Sequence, residues 1–205
     1  MNKKITKVNR TIMNNKKNKY IVIHYTANNG DTAKNNVDYF YNVNRQASAH
    51  YFVDEKEIWQ CVEDKDSAWH CGTNKTYYHK ECRNSNSIGI EMCSRIDKNT
   101  GKYYIKEEVV NKTIDLTIQL MKKYNIPVDN VIRHYDVTHK KCPAPFVDNP
   151  DLWTNFKSRL KEERKLNKQE CIEKLKTILA DDTIKYLDMY RYGDDLIIKL
   201  GNAIK

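Results

Sequence analysis

The sequence predicts an α/β domain, a central mixed β-sheet flanked by helices, followed by a small all-helical C-terminal unit. Short β-branched and aromatic runs alternate with stretches of helical periodicity from Tyr20 to about Lys165, the pattern of a sheet covered by helices. After residue 166 the strand-like runs stop and three short amphipathic stretches follow. A chain of 205 residues holds one domain of ordinary size with roughly forty residues to spare, so the expected boundaries are 1–166 and 167–205.

Taken in order, a polar Asn/Lys-rich lead precedes "YIVIHYT" (Tyr20 to Thr26), a compact strand-forming run closed by "NNGD". Asp31 and Thr32 are candidate caps for a helix reaching about Arg45, with Val37, Phe40, Tyr41 and Val43 at roughly helical spacing. "AHYFVDEKEIWQCV" reads as a hairpin turning at "DEKE". A long polar loop with aromatics follows, of a length that is usually functional or disordered. "SIGIEM" is the next strand, ending near Glu91.

Val110, Ile114, Ile118 and Met121 mark one face of a helix that stops at "NIP", before a strand "NVIRHYDV". The last helix of this unit is expected from about Asn149 to Lys165, with Pro150 in its first turn and Leu152, Trp153, Phe156 and Leu160 facing inward. "KEERKLNKQE" reads as a helical extension or linker. Beyond it Ile172, Leu175, Ile178 and Leu179 form one apolar face. A unit this small rarely folds without help, so the tail is expected to dock, to bind a target or to pair with copies of itself.

The formal charge is +9, from 36 basic and 27 acidic residues. Residues 168–205 hold seven of each sign, so the whole excess lies before them and points to a polyanionic partner of the larger unit. Nucleic acid would match the charge, but no metal-knuckle spacing or RNA-binding aromatic motif is present. No apolar run approaches the ~20 residues of a membrane span. The basic lead contains no apolar segment of signal-peptide length, which predicts synthesis in the cytoplasm. Six cysteines without a CxxC pair predict buried thiols rather than a disulfide framework.

"VIRHYDVTHKKCPAPF" (Val131 to Phe146) places His134 at the end of an apolar run and Cys142 eight positions later. His24 closes the first strand in the same way. Imidazole and thiolate are ligand types that zinc prefers, and a catalytic zinc takes three protein ligands. Histidines at strand ends also serve as satisfied structural residues, and spacing alone leaves both readings open.

"IVIHYTA", "SAHYFVD", "AWHCG", "NSIGIEM" and "RHYDVTHKKCP", in this order over residues 18–160, resemble the zinc-dependent N-acetylmuramoyl-L-alanine amidases of the peptidoglycan recognition fold, a family that includes many phage endolysins. The resemblance implies one zinc ion on His24, His134 and Cys142. It also implies Glu91 as proton carrier, Lys140 as the cation that steadies an oxyanion, and His50, Trp69 and His70 lining the substrate groove. Asn86 is a further candidate, for hydrogen bonding to a peptide carbonyl. The chain departs from the usual pattern at Cys71, where a small alanine is common; a buried thiol is the expectation there rather than a second metal ligand.

The implied activity is hydrolysis of the amide joining muramic acid to L-alanine in bacterial peptidoglycan. Anionic wall polymers are a further attractor for the basic surface. The implied course is cytoplasmic synthesis followed by action on the wall after release, with a host autolysin as the alternative source. A peptidoglycan-binding module without activity is the competing function; such relatives characteristically lose the cysteine, which this chain keeps at Cys142. The C-terminal unit is expected to target the wall or to oligomerise.

Overall fold

Ten strands and eight α-helices are found in the computed structural model, which describes residues 1–161, 168–189 and 193–204. The strands are β1 (Asn2–Lys3), β2 (Arg10–Thr11), β3 (Tyr20–Tyr25), β4 (Tyr51–Val53), β5 (Ile58–Gln60), β6 (Ser67–Ala68), β7 (Ser87–Met92), β8 (Arg95–Ile96), β9 (Tyr103–Tyr104) and β10 (Val131–Arg133). The helices are α1 (Ala33–Tyr41), α2 (Glu107–Tyr124), α3 (His134–Thr138), α4 (Ala144–Asp148), α5 (Pro150–Lys161), α6 (Lys168–Leu175), α7 (Asp181–Asp188) and α8 (Gly193–Ala203).

Six strands form one sheet in the order β1, β5, β4, β7, β3, β10. Only the β4–β5 pair is antiparallel, so the sheet is mixed. Because side chains alternate between faces along a strand, Ile21, Ile23, Ile88, Ile90 and Met92 all enter one apolar cluster with Val109, Ile114, Leu116 and Leu120 of α2 and Phe156 and Leu160 of α5. Tyr20 and Val22 point the other way, into a smaller cluster with Cys71, Cys82, Ile132 and Val137. His24 and Glu91 continue this second set by parity.

The hairpin at "DEKE" is closed by Asp54. One carboxylate oxygen accepts from the backbone N–H groups of Lys56 and Glu57, at 2.7 and 2.8 Å, and the other accepts from Ala33 at the start of α1, at 2.8 Å. Thr32 is the N-cap of α1, as its position suggested.

Several expectations fail locally. The polar lead supplies an edge strand, β1, paired with β5, and β2, paired with β6. The strand expected over "NVIRHYDV" ends at Arg133, because Asp136 accepts from the Arg133 backbone N–H at 2.8 Å and starts a helix at His134. α1 stops at Tyr41, leaving Val43 half exposed. Leu152, in the first turn of α5, is 46% exposed, whereas Phe156 and Leu160 further along the helix are buried. Ile178 follows the end of α6 and is 62% exposed.

The chain divides into two compact units, Met1–Lys161 and Glu162–Lys205. The second has its own small core of Cys171, Leu175, Ile184 and Ile197. Gly201 makes that core possible, since a Cβ there would lie 2.3 Å from the Cys171 Cβ. The 166/167 boundary and residues 162–167 of the expected linker lie outside the described residues, while the linker's last three positions, 168–170, open α6. All six cysteines are buried and none is in a disulfide among the described residues, and no helix among the described residues is long and apolar enough to cross a membrane.

Candidate metal centre and active site

The register of three adjacent parallel strands assembles the site. Tyr20, Val22 and His24 of β3 stand opposite Ser87, Gly89 and Glu91 of β7. On the other side Val22 pairs with Ile132 of β10, so His134, two residues further on, rises on the same face beside His24. Its ring lies 4.8 Å from the His24 ring, centroid to centroid. Cys142 is brought back by its loop, where the Tyr135 backbone N–H donates to the Cys142 carbonyl at 2.8 Å.

The donor atoms of His24, His134 and Cys142 all lie within 4.8 Å of one another, and all three residues are buried. Cys142 Sγ is 3.7 Å from His24 Nδ1, and Glu91 Oε1 is 3.9 Å from the same nitrogen. Two buried atoms here have no hydrogen-bond partner, His134 Nε2 and Glu91 Oε2. A buried polar atom left unpaired is costly, and a cation held by these donors would satisfy both the imidazole and the geometry. Two imidazoles and one thiolate form a set of donors suited to zinc.

The electrostatics agree. Burial, reinforced by His134, His70 and Lys140, holds His24 well below its ordinary pKa, and burial with Lys140 brings His134 down to about 4. Both imidazoles are therefore neutral and able to donate a lone pair. Burial pushes the Cys142 thiol up to about 12, with Glu91 adding to the rise and Lys140 opposing it; a bound divalent cation reverses this for a coordinating thiol. Burial also raises Glu91 to about 8 against the pull of Lys140, close to the range where a carboxyl both takes and gives a proton.

A groove of about 680 Å³ opens on the cluster, walled by Trp69, His70, Asn84, His134, His139 and Lys140 among others. Trp69 and His70 both line this groove, although His70 is also tied inward, through Nδ1 to His24 Nε2 at 3.0 Å and through Nε2 to Ser87 Oγ at 3.1 Å. His50 and Asn86 do not form part of the wall. His50 is 0% exposed; its Nδ1 accepts from the Gly89 N–H at 3.0 Å and its Nε2 meets Lys16 Nζ at 2.9 Å. Asn86 spends its amide on the Arg83 N–H and the Glu81 carbonyl. Asn84 lines the groove instead, and its Oδ1 fixes the backbone N–H groups of His70 and Cys71.

Cys71 packs in the small cluster with Cys82 and lies outside the donor set. His139 is stacked 3.5 Å from Tyr78 and 5.2 Å from Tyr135, centroid to centroid. Sequence reasoning missed Ser87, Gly89 and Lys16. The first two were visible in principle, because "SIGIEM" sets Ser87, Gly89 and Glu91 on one face by alternation.

The sequence profile of the N-acetylmuramoyl-L-alanine amidase family matches residues 14–145. The chain is 37% identical over 155 residues to the N-acetylmuramoyl-L-alanine amidase BlyA of Bacillus subtilis, covering 70% of this chain and 41% of that protein. It is 38% identical over 150 residues to CwlL of Bacillus licheniformis, covering 69% and 40%. It therefore spans about two fifths of the length of these relatives. Among solved structures, PlyL superposes with a TM-score of 0.65 at 30% identity, covering 79% of this chain and 97% of PlyL. The catalytic domain of XlyA gives 0.63 at 26% identity, covering 78% and 97%. With its mixed sheet and site geometry in place, the chain belongs to the N-acetylmuramoyl-L-alanine amidase family.

Proposed function

We propose that this chain is a zinc-dependent N-acetylmuramoyl-L-alanine amidase of the endolysin kind, cleaving the amide between muramic acid and L-alanine in bacterial peptidoglycan. The observation that carries the reading is the pair of unpartnered buried atoms, His134 Nε2 and Glu91 Oε2, at a His24–His134–Cys142 donor set whose His134 lines a groove.

Zinc held by His24, His134 and Cys142 would supply a Lewis acid for the amide carbonyl and a water of lowered pKa, about 7 in favourable sites. Glu91, next to the donors, takes the proton of the attacking water as the new C–O bond forms. The same carboxyl then gives that proton to the alanine nitrogen as the C–N bond breaks, leaving a muramic carboxylate and a free L-alanine amine. Lys140 on the groove wall draws the developing negative charge of the carbonyl oxygen. Its charge already favours ionised Glu91 and Cys142 in the resting site. Trp69 and Asn84 border the path along which glycan or stem peptide would lie.

The net charge of +9 suits approach to an anionic wall. The second unit, with its own core, is read as a wall-attachment or self-association module. Removing residues 167–205 should lower binding to intact walls while hydrolysis of soluble fragments persists.

Mass spectrometry of digests of defined peptidoglycan tests the activity. New L-alanine amino termini without new reducing sugar ends, abolished by a chelator, are the expected products. New reducing ends, or chelator-resistant turnover, would contradict the reading.

A further inference from the structure

We infer that Ser87 and His70 are positioning residues that fix the tautomer of His24, so that its Nδ1 lone pair is presented to the donor cluster before any metal arrives. The reasoning follows the protons outward from a backbone carbonyl, which can only accept. Ser87 Oγ lies 2.6 Å from the Arg83 carbonyl oxygen and gives its single proton there. Toward His70 Nε2, 3.1 Å away, Ser87 therefore offers a lone pair, and His70 must carry its proton on Nε2. A singly protonated His70 therefore keeps its one ring proton on Nε2. Its Nδ1 is then an acceptor.

Nδ1 of His70 lies 3.0 Å from His24 Nε2, so the His24 proton belongs on Nε2. The remaining His24 lone pair is on Nδ1, the atom that faces Cys142 Sγ at 3.7 Å and Glu91 Oε1 at 3.9 Å. Each link leaves one tautomer for the next.

Packing holds the relay in place. Gly89 lies beneath the His70 ring, and a Cβ there would come within 2.6 Å of His70 Cγ. Asn84 Oδ1 accepts from the His70 backbone N–H at 3.1 Å. The His24 and His70 rings meet edge to face, 5.1 Å apart at 87°. A buried histidine ligand whose other nitrogen is hydrogen-bonded has its orientation and basicity set in advance. Here the partner is a second histidine anchored to a serine, not a carboxylate.

The consequence for metal affinity rests on the proposed zinc site, but the tautomers do not. In the metal-free full chain with ¹⁵N-labelled histidine, long-range ¹H–¹⁵N NMR should show both His24 and His70 protonated on Nε2 alone. A proton on Nδ1 of either, or a doubly protonated His70 at neutral pH, would overturn the inference. Zinc competition against a chelating dye then compares the chain with Ser87→Ala, whose affinity should fall roughly ten- to a hundredfold, while His24 loses its single tautomer. An unchanged affinity would overturn the role assigned to Ser87. If the variant does not fold, the tautomers of the unaltered chain decide the question. If those are as expected and the unaltered chain binds no zinc, the relay stands and the metal reading fails.

Discussion

Two groups of buried polar side chains lie side by side on one face of the sheet, and their hydrogen bonds are completed differently. In the group around His50 and His70 the ring nitrogens and the lysine amine are all accounted for. Lys16 Nζ reaches His50 Nε2 at 2.9 Å and the Asp66 and Ser87 carbonyls at 2.8 Å each, while both nitrogens of His50 and both of His70 have partners. In the group of His24, His134, Cys142 and Glu91, two buried atoms have none. Both groups bear the cost of burial, and only the first recovers it within the protein. The first is scaffold, whereas the second is built for something that the fold alone does not supply.

That contrast can be broken by substitution, because the open group should carry activity and the closed group stability. Cys142→Ala should take peptidoglycan turnover to background and remove bound zinc, with circular dichroism unchanged. Retained turnover would end the distinction. Glu91→Gln should lower kcat by about 10²–10⁴-fold, the range expected for a lost proton carrier, with zinc content unchanged. A loss of zinc instead would make Glu91 a ligand.

In the closed group the expected effects are on folding. Burial outweighs the attraction of Asp64, Asp66 and Cys71 and lowers the Lys16 amine from 10.5 to about 7. Between those values the unfolded chain binds more protons than the folded one, so stability should rise with pH, by up to about 1.4 kcal/mol per pH unit from this group. Urea denaturation at pH 7 and pH 9 should show that gain in the natural chain and a smaller one in Lys16→Met; equal gains would refute the burial of the amine. Gly89→Ala tests the border between the groups. Its Cβ would displace the His70 ring, and overpacking of this kind costs about 1–3 kcal/mol, readable as a lowered Tm. An unchanged Tm would show that the ring moves freely.

The open group was the part most legible in the sequence. His24, Glu91, His134 and Cys142 sit in the motifs that carry the family resemblance; parallel register sets the first three on one face, and the loop after α3 returns Cys142 to them. The fold class was equally plain, because alternating strand and helix patterns leave few architectures. Partners of the closed group were hidden for physical reasons. Lys16 lies in an Asn/Lys-rich lead where nothing local marks which lysine turns inward. His50 was placed on the groove by resemblance and Asn86 was a further candidate, but each side chain is held by backbone partners, Gly89 for one and Arg83 and Glu81 for the other, that no side-chain pattern reveals. The helix that begins at His134 was missed because one aspartate, Asp136, reaches back to cap it.

X-ray absorption spectroscopy of the zinc-loaded chain tests the central claim most directly. The account predicts one sulfur at about 2.3 Å and two imidazole nitrogens at about 2.0–2.1 Å, with the sulfur lost in Cys142→Ala. A shell of light atoms only, or a sulfur that survives Cys142→Ala, would contradict it.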